Sequence, residues 1–286
     1  MPGANSVTSN QETLHKDLEK VVLKYARTTF LRPIADHTRE AFAEAEAFVR
    51  KFYGTAGKGD PGTESGVTDC AKSGVTDCAK SEVTVGTAPK AVIIDSGCGT
   101  GESTIHIARR FPNIPVIGID KSYARLNKAG NPSQTAGEDV PANAFWIRAE
   151  LLDFWRLALE RVQTGKWTIP YHAVYYPNPW PKQSEATRRF HMHPIFPTLL
   201  ALGQTIELRT NWEIYAREFA EAARLVFEVS VGNENAHQAC NETATPLATQ
   251  PQITCESFDP ESPETAFERK YTEARQKLWR VTVSHF

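Results

Sequence analysis

Asp95, Gly97, Gly99 and Gly101 fall within one short stretch, DSGCGTG. Three glycines in G-x-G-x-G spacing let the backbone turn tightly and approach a ligand closely. Alone, such a loop serves a dinucleotide, an S-adenosyl ligand or only a tight turn. Its acidic surroundings narrow the choice. A pyrophosphate needs N–H donors and little negative charge nearby, whereas a sulfonium cofactor with a free amino group benefits from acidic walls. Asp95 beside the loop therefore favours S-adenosylmethionine over NAD. Asp120 ends the next apolar run, where a carboxylate can accept both ribose hydroxyls. Glu150 follows the run after that and is within plausible reach of an adenine amino group. Cys98 and Thr100 inside the loop, with Lys121 and Leu151 beside the acidic strand ends, complete the candidate cofactor set. Cys98 reads as a small packing residue rather than a nucleophile.

A second chemical stretch is YYPNPWPK at 175–182. Pro177, Pro179 and Pro181 cannot donate to a sheet ladder, so the strand preceding them must stop. What they leave is a stiff segment carrying one amide, Asn178, and one indole, Trp180. In an open parallel sheet, ligands bind outside the carboxyl ends of the strands near the point where strand order reverses. There a rigid amide and ring would face the transferred group without ordering at the moment of reaction. Asn178 can both accept and donate, and Trp180 can stack on a base. The bland alternative is a rigid turn whose Trp fills a gap.

The elements that would position these groups follow from periodicity. Continuous apolar runs at Ala91–Asp95 and Val116–Asp120 flank the glycine loop and a helical stretch, as in a parallel sheet covered on both faces. Further strands are expected at Ala144–Arg148, His172–Tyr176, Thr205–Arg209, Leu225–Val231 and Leu278–Val283. The pattern predicts a doubly wound, mostly parallel α/β domain over 90–286, with polar insertions near 130–142 and 230–264. Helical spacing over 11–32 and 36–52 predicts an N-terminal helical extension over 1–55. Its basic residues, among them Lys16, Lys20 and Lys24, read either as a solvated face or as an RNA contact. Between the two, SGVTDCAK occurs at 65–72 and again at 73–80, so 56–89 reads as a polar, mobile, repeat-containing insert too short to bury a core.

Bulk properties exclude several classes. The chain has 286 residues, 41% hydrophobic and 23% charged, and a formal charge of −2. That suits a globular chain, and a nucleic-acid partner would need a local basic patch. Lys182, Arg188 and Arg189 form such a cluster and suit phosphates, as a salt-bridged surface would equally. No apolar run is long enough for a membrane helix, and MPGANSVTSNQ has no basic start followed by an apolar core, so a cytoplasmic or nuclear location is expected. Five cysteines without C-x-x-C argue against a disulfide framework or a zinc site. His191-x-His193 lacks an evident third ligand, so no metal is expected.

The motifs together, SNQETLHKDLEKVV, RPIADHTREAF, DSGCGTGEST, GIDKS, RAELLDFW, PNPWPK, RRFHMHPIFP, LRTNWEIYAREF and TAFERKY, span most of the chain. In them the sequence resembles the tRNA (guanine-N7)-methyltransferase family, in particular a branch with PNPWPK in place of PDPWPK. The resemblance implies a Rossmann-like class I methyltransferase with a seven-stranded sheet, S-adenosylmethionine as cofactor and a tRNA substrate. It implies that Asp95, Asp120 and Glu150 hold the cofactor and that Lys182 contacts substrate. Thr265 and Glu268, in TAFE, are implied to contact the target guanosine, with Glu268 joining Asn178 at the reacting base. Two residues depart from the family pattern: Asn178 and Asn211 stand where it has Asp. Both changes remove a carboxylate from the face that receives the guanine. A motif of the N-P-P-[YW] type in amino-methylating enzymes is also similar to Asn178-Pro179-Trp180, so an exocyclic-amine or non-tRNA acceptor, or a non-catalytic RNA-binding relative, stays open. Neither oligomeric state nor a partner subunit can be read from these residues.

Overall fold

The computed structural model describes residues 6–56, 88–128, 140–238 and 251–285. In chain order the elements are α1 (Leu18–Ala26), α2 (Asp36–Ala56), β1 (Lys90–Ala91), β2 (Ile93–Ser96), α3 (Glu102–Arg110), β3 (Val116–Asp120), α4 (Tyr123–Leu126), β4 (Ala144–Arg148), α5 (Leu151–Gln163), β5 (Trp167–Thr168), β6 (His172–Tyr175), α6 (Phe196–Leu202), β7 (Thr205–Thr210), α7 (Glu213–Gln238), β8 (Gln252–Phe258), α8 (Ala266–Glu273) and β9 (Leu278–Ser284). Two short 3-10 turns, Gln183–Arg188 and Phe190–Met192, join β6 to α6.

Seven strands form one sheet in the order β4-β3-β2-β6-β7-β9-β8, and β9 alone runs against the rest. The chain moves outward from β2 through β3 to β4, then returns to β6 on the other side of β2. The reversal therefore falls between β2 and β6, where Ser96 pairs with Val174. The glycine loop leaves the sheet on one side of this crevice, and the proline segment leaves on the other. This is the ligand position expected for a doubly wound sheet.

Alternation along the central strands feeds two cores. Ile94, Ile117 and Ile119 join a large cluster with α5, α6 and α7. Ile93, Val116 and Ala173 join a smaller one with Ile107 and Ala108 of α3. Leu18, Val22, Phe42, Ala45 and Val49 belong to the larger cluster, so the N-terminal helices are part of the domain core. Asp153 of α5 fastens the link between them, accepting from Arg32 at 2.9 Å and from the Ala35 N–H at 3.1 Å.

Three expectations require correction. The helix expected over 11–32 is confined to Leu18–Ala26. Before it the chain runs irregularly, because buried Gln11 and the His15 N–H both donate to Glu218 of α7, at 2.6 and 2.7 Å. The strand expected at Leu225–Val231 is instead helical, inside α7. Phe219, Ala222, Ala223 and Val226 are all buried, and their spacing is that of one helix face. The polar stretch 230–264 holds the end of α7 and the edge strand β8, whose mostly exposed residues gave no apolar signal. The repeat and most of the 130–142 insertion lie outside the described residues.

Candidate active site

The loop after β2 is built as its glycines require. Gly97, Gly99 and Gly101 adopt φ values of +78°, +61° and +81°, which side chains rarely tolerate. Gly97 and Cys98 donate to the Ile119 carbonyl at 2.8 and 3.1 Å, tying the loop to β3. Asp95 is buried. Its Oδ2 accepts from the Ser103 and Thr104 hydroxyls at 2.7 and 2.6 Å, while its Oδ1 is buried without a partner. Burial pushes this carboxyl up to about 6, although the two hydroxyls oppose the shift. Burial, with Asp95 and Asp120 nearby, raises the Cys98 thiol well above its ordinary value, so it is not a nucleophile.

Asp120 ends β3 facing the crevice. Its oxygens accept from the Gly99 and Ser122 N–H groups at 3.1 and 2.7 Å and from Arg125 at 2.9 Å. Together with Lys121, Glu150, Leu151, Trp180 and Phe190 it lines a cavity of about 320 Å³. A second cavity of about 480 Å³ adjoins it. Its wall comprises Gly97–Thr100, Glu102, Asn178, Asn211, Thr265, Phe267 and Tyr271. Tyr175, Tyr176, Pro177 and Asn178 border both.

The proline segment between the cavities is held in an unusual backbone. Tyr176 and Trp180, at either end of Pro-Asn-Pro, sit at φ +50° and +44°. A non-glycine residue in this region costs about 1–2 kcal/mol, so the surrounding contacts must impose it. Asn178 is exposed at the rim, and its Oδ1 lies 3.5 Å from the Trp180 N–H, too long to commit the amide. Trp180 turns its ring to the first cavity, with the Arg188 guanidinium 4.5 Å from the ring centroid. It lies with the proposed cofactor residues, not among the residues expected to receive a base.

Two expected substrate residues are not at the surface. Arg189 is fully buried and pairs with Glu218 at 2.6 Å, so it cannot steer phosphates. Arg188, the last residue of the preceding 3-10 turn, stays exposed beside Glu185. Glu268 is fully buried too. Its carboxylate accepts from Arg209 at 3.0 Å, from the Tyr176 hydroxyl at 2.9 Å and from the Glu264 N–H at 2.5 Å. It thus supports the cavity wall from behind instead of meeting a base. Thr265 lines the second cavity, but its hydroxyl also caps α8 by accepting from the Glu268 N–H. Asn211 lines the same cavity and donates to Gln276 at 2.9 Å. Lys182 is exposed and lines neither cavity. His191 bonds Glu218 at 2.9 Å and His193 accepts from the Ile195 N–H, and no metal-holding group of His, Cys, Asp and Glu occurs among the described residues.

Several site residues escaped the sequence reading. Arg125 gave a weak signal, one helical turn beyond Asp120. Tyr176 lay in view within YYPNPW. Phe267 and Tyr271 sit one turn apart on α8, with near-parallel rings 6.3 Å between centroids and Phe267 51% exposed. Arg209 gave none: it is buried beneath the second cavity against Glu207, Glu268 and the Tyr175 ring. The second cavity therefore offers amides, hydroxyls and aromatic faces. Its one carboxylate among the described lining residues, Glu102, is paired with Arg269. Such a wall can orient a planar polar group and has no free base to take a proton from it.

Residues 89–281 match the sequence profile of a family described as "Putative methyltransferase". A trans-aconitate 2-methyltransferase of Deinococcus radiodurans is 55% identical over 42 residues, 15% of this chain and 16% of the relative. A tRNA (guanine-N(7)-)-methyltransferase of Neisseria meningitidis serogroup C / serotype 2a is 30% identical over 132 residues, 45% of this chain and 52% of the relative. Another from Neisseria meningitidis serogroup C is 26% identical over 190 residues, covering 65% and 68%. The chain thus spans about half the length of several curated relatives it matches.

Proposed function

Because the chain belongs to the methyltransferase family matched by its residues 89–281, we propose that it transfers a methyl group from S-adenosylmethionine to guanine N7 in tRNA. The relatives named as tRNA (guanine-N(7)-)-methyltransferases support the choice of acceptor. The observation that carries the proposal is the pairing of a glycine-loop cavity, lined by the Asp120 and Glu150 carboxylates with Lys121, Arg125 and Arg188, with a second cavity whose one lining carboxylate among the described residues, Glu102, is already paired.

The residues present fit the cofactor. Asp120 offers a carboxylate at the cavity wall for the ribose, and the unpartnered, buried Oδ1 of Asp95 lies beside the loop. Glu150, Leu151 and Leu152 line the same cavity and would meet the adenine. When bound, S-adenosylmethionine supplies a methyl group on positively charged sulfur. Guanine N7 carries a lone pair and no proton, so the chain needs only in-line placement and tolerance of the cation that develops on the purine. The paired state of Glu102 and the burial of Glu268 are compatible with that acceptor. Phe267 and Tyr271 present a face on which the purine can stack, and the amides of Asn178 and Asn211 can meet its edge. Lys182 and Arg188, both exposed by the rim, are placed to approach phosphates.

Unmodified tRNA incubated with methyl-labelled cofactor and digested to nucleosides tests this reading. Label in 7-methylguanosine is expected. Label in an N-methylated exocyclic amine would move the acceptor atom, and unlabelled RNA would remove the activity.

A further inference from the structure

The proline ledge is gripped from beneath by one buried side chain. Arg189 donates through Nε and Nη2 to the Trp180 carbonyl, at 3.2 and 3.0 Å. Its Nη1 donates to Glu218 Oε2 at 2.6 Å, and its guanidinium lies 4.7 Å from the centre of the Trp212 ring. All three nitrogens are thus engaged, two of them on a single carbonyl. That carbonyl belongs to a residue in the left-handed region, φ +44°.

Glu218 is held in turn. Its Oε2 also takes His191 at 2.9 Å, and its Oε1 takes Gln11 Nε2 and the His15 N–H at 2.6 and 2.7 Å. Two residues before Gln11, the Ser9 hydroxyl donates to the Pro181 carbonyl at 2.8 Å. Adjacent carbonyls of the ledge are therefore fastened by two segments joined through Glu218, Trp180 by Arg189 and Pro181 by the N-terminal segment. Val7 of the same segment reaches the wall of the second cavity.

We propose that Arg189 is a positioning residue for the reaction: its fork on the Trp180 carbonyl, anchored by Glu218 and seconded by Ser9, fixes the indole at the wall of the first cavity and Asn178 at the border of both. This assignment of a role in turnover rests on the methyl-transfer reading, but the ledge geometry it predicts does not. Lysine keeps the positive charge against Glu218 and cannot reproduce a two-nitrogen grip on one oxygen. A purely charge-balancing Arg189 is therefore rescued by Arg189→Lys, and a positioning one is not.

The test labels the chain with 5-fluorotryptophan and assigns the Trp180 fluorine resonance by its loss in Trp180→Phe. In Arg189→Lys the Trp180 resonance should broaden or split while those of the other tryptophans distant from the ledge hold their positions. Turnover on tRNA should fall at least tenfold. Ser9→Ala, a half-buried hydroxyl that leaves the core intact, provides a second variant should Arg189→Lys fail to fold. It should perturb the same resonance and lower turnover several-fold. An unchanged Trp180 resonance in Ser9→Ala and in any folded Arg189→Lys overturns the proposal. Because the fluorine signal reads the ledge in a chain that methylates nothing, failure of the functional reading and failure of this proposal are separate results.

Discussion

The Arg125 guanidinium reaches the Asp120 carboxylate at 2.9 Å, on a cavity wall that both residues form. Asp120 is buried while Arg125 is 46% exposed, so the carboxylate is fixed from the protein side and the arginine lies over it from solvent. The Gly99 and Ser122 N–H groups hold the other positions on the carboxylate. A ribose at this wall would share an acceptor already oriented by three donors.

Removing that acceptor should weaken cofactor binding specifically. A hydrogen bond to a charged group contributes about 1.5–3 kcal/mol. Asp120→Ala should therefore raise the dissociation constant of S-adenosylhomocysteine by about 10- to 100-fold. Titration calorimetry on the parent and the variant measures it, and equal affinities would take the ribose away from Asp120.

Glu268 separates two roles by stability. Enclosed with Arg209, it is one of two carboxylates bonded to that cation, the other being Glu207. Losing one such charged hydrogen-bond partner while Glu207 stays costs about 1.5–3 kcal/mol. Urea unfolding of Glu268→Gln should show a loss of that order. Unchanged stability with abolished turnover would return Glu268 to the face of the base.

Asp95 should give the stability curve a recognisable pH dependence. Burial raises its carboxyl from 3.8 to about 6 in the folded chain. The folded state then holds a proton that the unfolded state releases between those values. Its contribution is complete below the unfolded value and is lost as pH rises through about 6. Asp95→Asn should cancel this slope, gaining at pH 7.5 relative to pH 4 by on the order of 2–3 kcal/mol at most. Parallel pH profiles for parent and variant would contradict the assignment.

Phe267 tests the acceptor side. It is 51% exposed, with its ring near-parallel to that of Tyr271 on α8, so truncation should leave stability within about 0.5 kcal/mol. Base stacking contributes about 1–3 kcal/mol. Phe267→Ala should raise the KM for tRNA about tenfold with cofactor affinity unchanged. A normal KM would place the base elsewhere.

The parts visible in the sequence were those whose physics is local. Glycines needing positive φ, apolar runs buried on both faces and prolines that stop a strand announce β2, β3, β6 and the loops that leave them. What stayed hidden depends on partners far along the chain. Arg188 and Arg189 are adjacent and identical in type, yet one stays in solvent and the other meets Glu218 in the core. No spacing rule distinguishes them, because the partner sits on α7. Glu268 was misplaced for the same reason: its partner Arg209 lies on β7. The strand expected at Leu225–Val231 fell inside a long helix, where Leu225 and Val226 are buried and Glu228 is exposed and where a short apolar run carries no period of its own. Edge strand β8 pairs along one side only and presents mostly exposed side chains, so it lacked the apolar pattern that marks a central strand.

In the proposed arrangement the cofactor lies across the glycine loop with its reactive sulfur facing the Asn178–Trp180 ledge. A crystal structure with S-adenosylhomocysteine bound tests this most directly. The ribose hydroxyls are expected on Asp120, with the sulfur opening past Asn178 toward Phe267 and Tyr271. Ligand bound away from that crevice, or bound there with its sulfur turned from the ledge, would contradict it.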